Sequence, residues 1–150
     1  MKLLRNVVAF CCNVFNWKLA IVSAIFQGVI VGWINGDHSI VEYLRAGFSQ
    51  ALMSALSTGV TAGVAQRISE KIDGPMSAYF WGSAIPAAMT FAFSAGVHWL
   101  NDTPEFLASC LWPTFVSSTT SLCVNFAARN LVHQPGWRWI EKFILIKPRD

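Results

Sequence analysis

The chain has 150 residues, of which 54% are hydrophobic and 13% are charged, and its mean hydropathy is +0.46. Soluble domains are usually about 45–50% apolar and about 25% charged, so too few charged side chains remain to cover a water-facing surface. This composition excludes a disordered chain, a coiled coil and most soluble enzymes. It favours a small polytopic membrane protein with one domain.

Charge and cysteine content exclude two further classes. The net charge of +3 is small and no basic run lies on a polar face, so we expect no nucleic-acid partner. The four cysteines, Cys11, Cys12, Cys110 and Cys123, form no CxxC pair, and none has a histidine at zinc-ligand spacing. We therefore expect neither a metal nor a cofactor.

Both ends of the chain have the pattern of a short segment that lies on a membrane surface. Apolar residues recur at helical spacing before residue 17, but Asn6, Asn13 and Asn16 interrupt the run and no signal-peptidase site follows. We expect this segment to be retained rather than cleaved. The stretch 137–146 mixes aromatic and aliphatic residues with charged ones and predicts a second such segment.

Four segments are apolar enough over about 20 residues to cross a bilayer as helices. They cover residues 17–34, 46–65, 77–100 and 106–128. The connections between them are short, and short connections make neighbouring helices antiparallel. The sequence therefore predicts an all-α integral membrane protein, folded as a four-helix up-down bundle.

The distribution of Lys and Arg predicts the orientation of these spans. With four spans, the basic residues of the N-terminal segment, of connection 66–76 and of the C-terminal tail lie on one side. The other side holds Asp37, Glu42, Asp102 and Glu105, with Arg45 as its only strong base. We expect both termini in the cytoplasm, and a bacterial inner membrane as the location.

Local patterns agree with these limits. Ser39 followed by Glu42 is typical of a capping box at the start of the second helix. Thr103, Pro104 and Glu105 predict an N-cap, a proline at the first helical position and an acid in the first turn of the fourth helix.

The two halves of the chain share a weak internal similarity. An offset of 64 superposes Trp17 on Trp81 and Gly32 on Gly96, and an offset of 63 superposes Glu42 on Glu105. Either the halves are a tandem repeat of a two-helix hairpin, or the few identities reflect the biased composition.

The second helix carries a ridge of small residues spaced by four, flanked by polar side chains. The ridge consists of Gly47, Ala51, Ala55, Gly59 and Gly63, and its polar neighbours are Gln50, Ser54 and Thr58. In lipid, helices associate through close backbone approach and interhelical hydrogen bonds. This pattern, a glycine zipper, predicts packing within the chain, self-association, or docking onto a membrane-protein partner. A further alternative is the lining of a polar pathway, which would include Ser57 and Thr61.

Candidate chemistry is sparse. No Asp, Glu, Lys or Arg lies in the middle of a predicted span, which argues against an ion-coupled transporter, and no catalytic motif is present. Outer residues His38, His98, Asp37, Glu42, Asp102 and Glu105 could converge, and His98 and Asp102 would share a helix face if the helix continued. The acids are explained more simply as helix caps and loop residues.

These observations predict a non-catalytic accessory or structural subunit of a larger membrane complex, and not an enzyme. The alternative is a small homo-oligomeric channel or carrier for a neutral or weakly polar solute, built around Gln50, Ser57 and Thr61.

Overall fold

A computed structural model describes residues 5–6, 13–131, 134–137 and 142–146 of the chain. All regular structure within these ranges is helical, so the all-α class is confirmed. The four long helices are α1 (Trp17–Ile34), α2 (Ile40–Lys71), α3 (Pro75–Leu100) and α4 (Phe106–Asn130), and a short 3-10 turn covers Pro135–Trp137.

The starts of the first three helices follow from local chemistry. The Asn16 side chain accepts a hydrogen bond from the backbone N–H of Leu19 at 3.2 Å and caps α1. At α2, the Ser39 hydroxyl oxygen accepts from the backbone N–H of Glu42 at 3.1 Å. The Glu42 carboxylate accepts from the Ser39 hydroxyl at 3.0 Å, so the predicted Ser39–Glu42 pairing is confirmed. Pro75 occupies the first turn of α3.

The predicted cap of α4 is wrong. The helix begins at Phe106 with Glu105 at the N-cap position, and no side chain of its own caps it. The Asn35 side chain instead accepts from the backbone N–H of Glu105 at 3.1 Å and donates to the Ser109 hydroxyl at 2.9 Å. The Thr103 hydroxyl bonds the His98 ring and not the start of α4. A residue at the end of α1 therefore positions the start of α4.

Helix α2 is longer than the span predicted from its charge-free stretch, running over 40–71 rather than 46–65. The Ser39 cap extends it at the start. At its end, the Arg129 guanidinium donates to the backbone carbonyls of Ser69 at 2.6 Å and Ile72 at 3.0 Å. Carbonyls at the end of a helix lack intrahelical partners, so this cation satisfies groups that would otherwise need water.

Helix α2 packs against each of the other three long helices. It is antiparallel to α1, because Gly28 meets Ala51 while the Ser23 hydroxyl bonds the Thr58 hydroxyl at 2.8 Å.

Helices α3 and α4 are also antiparallel. The Thr90 hydroxyl donates to Ser117 at 2.8 Å, and the Asn125 side chain donates to the Ala78 carbonyl at 2.6 Å. Helices α1 and α2, and helices α3 and α4, are therefore two antiparallel pairs that are packed side by side.

Three helices, α1, α3 and α4, are long and apolar enough to cross a membrane. The 32 residues of α2 extend about 48 Å at 1.5 Å per residue. Among the described residues, α2 is long enough but not apolar enough to be a fourth such helix. The reason is its composition, because Gly, Ala, Ser, Thr and Gln dominate its inner face. These small and polar side chains are buried by the surrounding helices.

The terminal segments lie partly outside the described residues, which include neither Cys11 nor Cys12. Residues 142–146 lie against the start of α1 and the end of α2. The Asn16 side chain donates to the Ile144 carbonyl at 2.8 Å. Gln66 donates to the Ile146 carbonyl at 2.9 Å and accepts from its backbone N–H at 2.8 Å. The segment is thus held at the end of the helices by hydrogen bonds between the Asn16 and Gln66 side chains and its backbone.

The repeat stays a prediction, and one of its superposed pairs has unequal surroundings. A Cβ atom added to Gly32 would lie 3.2 Å from the Tyr43 carbonyl oxygen, at the crossing of α1 and α2. A Cβ atom added to Gly96 would meet no atom within 4 Å.

Candidate functional site

Polar and apolar side chains are distributed in the reverse of the usual soluble pattern. Among the described residues, buried polar side chains outnumber buried apolar ones. Large apolar side chains face outward on all four helices, as shown by Ile25 (66% exposed), Phe48 (74%), Phe93 (55%) and Phe115 (65%). Any site for chemistry or recognition must therefore be sought among the buried polar groups and in the grooves of the apolar exterior.

A cavity of about 160 Å³ lies between α1, α2 and α4. Its polar lining comes from one amide and from hydroxyls of all three helices, and its apolar lining comes mainly from α1. The lining residues are Leu19, Val22, Ser23, Phe26, Gln27, Thr58, Thr61, Ala62, Val116, Ser117, Thr120 and Ser121.

Gln27 is the distinctive residue of this cavity. Its side chain is 2% exposed, and its Oε1 atom is buried with no hydrogen-bond partner among the described residues. A buried acceptor without a partner costs about 1–3 kcal/mol. Such a group in a folded protein calls for an explanation, and bound water or a bound ligand is the usual one.

Several hydroxyls around Gln27 already have protein partners. Ser23 and Thr58 bond each other at 2.8 Å, and the Ser117 oxygen accepts from Thr90 at 2.8 Å. Among the atoms that line this cavity, Gln27 Oε1 is the one that is fully buried and without a partner among the described residues.

A second polar cluster links α2 to the end of α3. The Nε2 atom of His98 lies 2.9 Å from Gln50 Oε1, and its Nδ1 lies 2.9 Å from the Thr103 hydroxyl. Gln50 also donates to Ser54 at 2.7 Å. His98, Gln50 and Ser54 are almost fully buried. Because each ring nitrogen of His98 has a partner, this cluster joins the helices and leaves no open position for a ligand.

The structure places most of the predicted small-residue ridge against other parts of the same chain. Gly47 and Ala51 meet α1 at Gly28. A Cβ atom added to Gly59 would overlap the Phe15 ring, and one added to Gly63 would overlap the Val14 backbone. These contacts correspond to packing within the chain, the first of the alternatives weighed for this pattern.

The remaining predicted residues are likewise accounted for within the chain or at its edge. Thr58 bonds Ser23, Gln50 bonds His98 and Ser54 bonds Gln50, while Ala55 is half-buried.

An outward-facing groove of about 330 Å³ runs along the crossing of α1 and α2. Small residues line it together with larger apolar side chains: Ala24, Ile25, Gly28, Val29, Tyr43, Leu44, Gly47, Phe48 and Ala51. Two ridge residues, Gly47 and Ala51, therefore line a surface that the described part of the chain leaves open.

The outer histidines and acids do not come together as the sequence allowed. His38 pairs with Glu105 at 3.2 Å. His98 and Asp102 do not share a helix face, because α3 ends at Leu100 and His98 is turned inward to Gln50. Within the described residues, no three His, Cys, Asp or Glu side chains are placed to hold a metal ion.

The sequence analysis did not single out Gln27 as a cavity-lining residue with an unpaired acceptor. The available signal was an isolated amide within the apolar run of α1. Its lack of a partner depends on which groups of α2 and α4 face it, and the sequence does not specify these.

No protein-family model, curated protein or solved structure matches the chain.

Proposed function

We propose that the chain is an integral membrane protein whose four long helices cross the bilayer as an up-down bundle, with both termini in the cytoplasm of a bacterial cell. The main supporting observation is the reversed distribution of side chains: many polar side chains are buried, and large apolar side chains are exposed. In a bilayer, exposed Ile, Leu and Phe side chains contact lipid tails, so no other part of a protein has to bury them. Trp17, Trp33 and Trp99, exposed near helix ends, suit the lipid headgroup level.

In this arrangement α2 is the inner helix of the bundle. A helix surrounded by others needs little apolar surface of its own, and small residues favour its close packing in lipid. The central residues of α2 carry no charge. Its charged ends, with Glu42 and Arg45 at one and Arg67 and Lys71 at the other, would extend beyond the hydrocarbon layer of roughly 30 Å.

Reporter fusions test whether α2 crosses. Four crossings place the two termini on the same side, and three place them on opposite sides. We expect a fluorescent protein to be bright, and alkaline phosphatase inactive, when fused to either end of the chain. Phosphatase inserted in the connection between α1 and α2 should be active and serves as the positive control. Termini that report from opposite compartments would contradict the four-span bundle.

We further propose that the chain is a non-catalytic subunit of a membrane complex, and that a partner's transmembrane helix occupies the groove between α1 and α2. The supporting observation is the groove itself, in which Ala24, Gly28, Gly47 and Ala51 lie between exposed apolar side chains. Small residues allow two helix backbones to approach closely, which is how helices recognise each other in lipid.

Site-specific photocrosslinking in intact membranes tests this role. With benzoylphenylalanine at Phe48, which lines the groove, we expect one discrete adduct with a membrane protein. The same probe at Phe93, an exposed residue of α3, is the matched control and should yield none. Ala24→Leu narrows the groove and should remove the Phe48 adduct. An adduct of doubled mass would indicate self-association, and equal labelling from Phe48 and Phe93 would contradict the partner site.

A second role, as a carrier of a small neutral solute, is favoured by the cavity beside Gln27. Thr61, one of the three residues expected to line such a pathway, does line this cavity. Gln50 lies elsewhere, bonded to His98. A carrier role requires solute flux into liposomes that contain only this protein.

A further inference from the structure

We propose that the cavity beside Gln27 binds a small neutral alcohol or phenol that enters from the membrane. The inference rests on the proposed membrane location and names a ligand class for the cavity that favours the carrier role, and it concerns a different surface from the partner groove. Its ligand class follows from four properties of the cavity: its unpaired acceptor, its lack of charge, its apolar wall and its size.

The unpaired acceptor requires a ligand with a hydrogen-bond donor. Gln27 Oε1 is a carbonyl oxygen, which accepts hydrogen bonds and cannot donate them. It is buried without a partner among the described residues. A hydroxyl group that enters the cavity can donate to it and remove the cost of its desolvation.

The lining requires a ligand without charge. None of the twelve residues that surround the cavity is ionisable, and a bare charge within a membrane segment is costly unless it is paired. A carboxylate, a phosphate or an ammonium ion would leave water and gain no counter-ion here.

The apolar wall indicates that the rest of the ligand is apolar, and it also indicates where the ligand enters the cavity. Val22 and Phe26 line the cavity and are also 53% and 49% exposed on the outer surface of α1. Leu19, Ala62 and Val116 continue the apolar lining inside. A ligand dissolved in the bilayer can reach Gln27 past the first two side chains, and its apolar part then packs against the other three.

The size limits the ligand to about one aromatic ring. The cavity measures about 160 Å³, and an apolar protein cavity of about 150 Å³ accommodates benzene. Water alone would satisfy Gln27 but would leave the apolar part of the lining without a packing partner.

Two fluorinated probes of similar shape test the proposal with the full-length protein in bicelles. 4-Fluorophenol carries a donor, whereas 4-fluorotoluene does not. Fluorine NMR titration should show saturable binding of 4-fluorophenol. Gln27→Leu, which removes the acceptor at nearly constant size, should weaken that binding about 3- to 30-fold. Binding of 4-fluorotoluene should not change with this substitution.

A second variant separates loss of the site from loss of the fold. Val116 is half-buried on the cavity wall, so Val116→Phe should fill the cavity and abolish saturable binding while helical content is retained. Thr119→Val, on the exposed side of α4, is the control and should bind like the native protein. The proposal is overturned if 4-fluorophenol does not saturate, or if native and Gln27→Leu proteins bind it equally. It is also overturned if Val116→Phe folds and still binds.

Discussion

Gly47→Leu should destabilise the protein by about 3 kcal/mol, near the upper end of the usual cost of overpacking a core. A Cβ atom at Gly47 would lie 2.8 Å from the Gly28 carbonyl oxygen and 3.3 Å from Gly32 Cα. Both neighbours are backbone atoms of α1, which cannot rotate away as a side chain can. The helices must therefore separate to admit the larger residue.

Gly96→Leu is the matched control for this substitution. Gly96 lies in a long apolar helix, but an added Cβ atom there meets no atom within 4 Å. We expect its effect to stay within about 0.5 kcal/mol, as for most surface positions. Reversible denaturation of both variants in mixed detergent micelles, followed by circular dichroism, gives the comparison. Equal losses at Gly47 and Gly96 would contradict the close crossing of α1 and α2.

The helices that could be predicted are those bounded by features near to them in sequence. Helix α1 covers 17–34 as predicted, because an apolar run follows directly after the capping residue Asn16. The start of α2 was likewise predictable, because Ser39 and Glu42 have the spacing of a capping box. The end of α2 was missed, because the Arg129 side chain that completes it comes from 57 residues later than Ile72. Hydropathy marks where charges begin and does not report such bonds.

The site was less predictable than the fold, for the same physical reason. The pattern of α2 indicated a small polar face, and this face is largely buried as packing requires. The pattern could not show that Gln50 is satisfied by His98 while Gln27 is left unpaired. Both outcomes depend on the rotation of helices that are distant in sequence, and that rotation is set by the packing of the whole bundle.

His98→Ala should cost about 3–5 kcal/mol, the range for removing a large buried ring. His98 is fully buried, so its loss leaves a void between α2 and α3. It also leaves Gln50 Oε1 and the Thr103 hydroxyl without their partner. His38→Ala is the control, because His38 is partly exposed and forms only a surface pair with Glu105, a contact that contributes about 1 kcal/mol or less.

A double-mutant cycle with Gln50→Leu separates the hydrogen bond from the lost volume. Gln50 Oε1 can only accept, so His98 Nε2 carries the hydrogen, and the Nδ1 of a neutral ring then accepts from Thr103. If the Gln50–His98 bond stabilises the bundle, the sum of the stability losses of the two single variants should exceed the loss of the double variant by about 0.6–2 kcal/mol. Additive losses would mean that His98 acts by filling space. An effect of His98→Ala no greater than that of His38→Ala would contradict its burial.

The coupling is informative because it joins the inner helix to the connection between α3 and α4, the same connection whose Glu105 is held by Asn35 at the end of α1. One polar cluster and one asparagine would then fix the same end of all four helices.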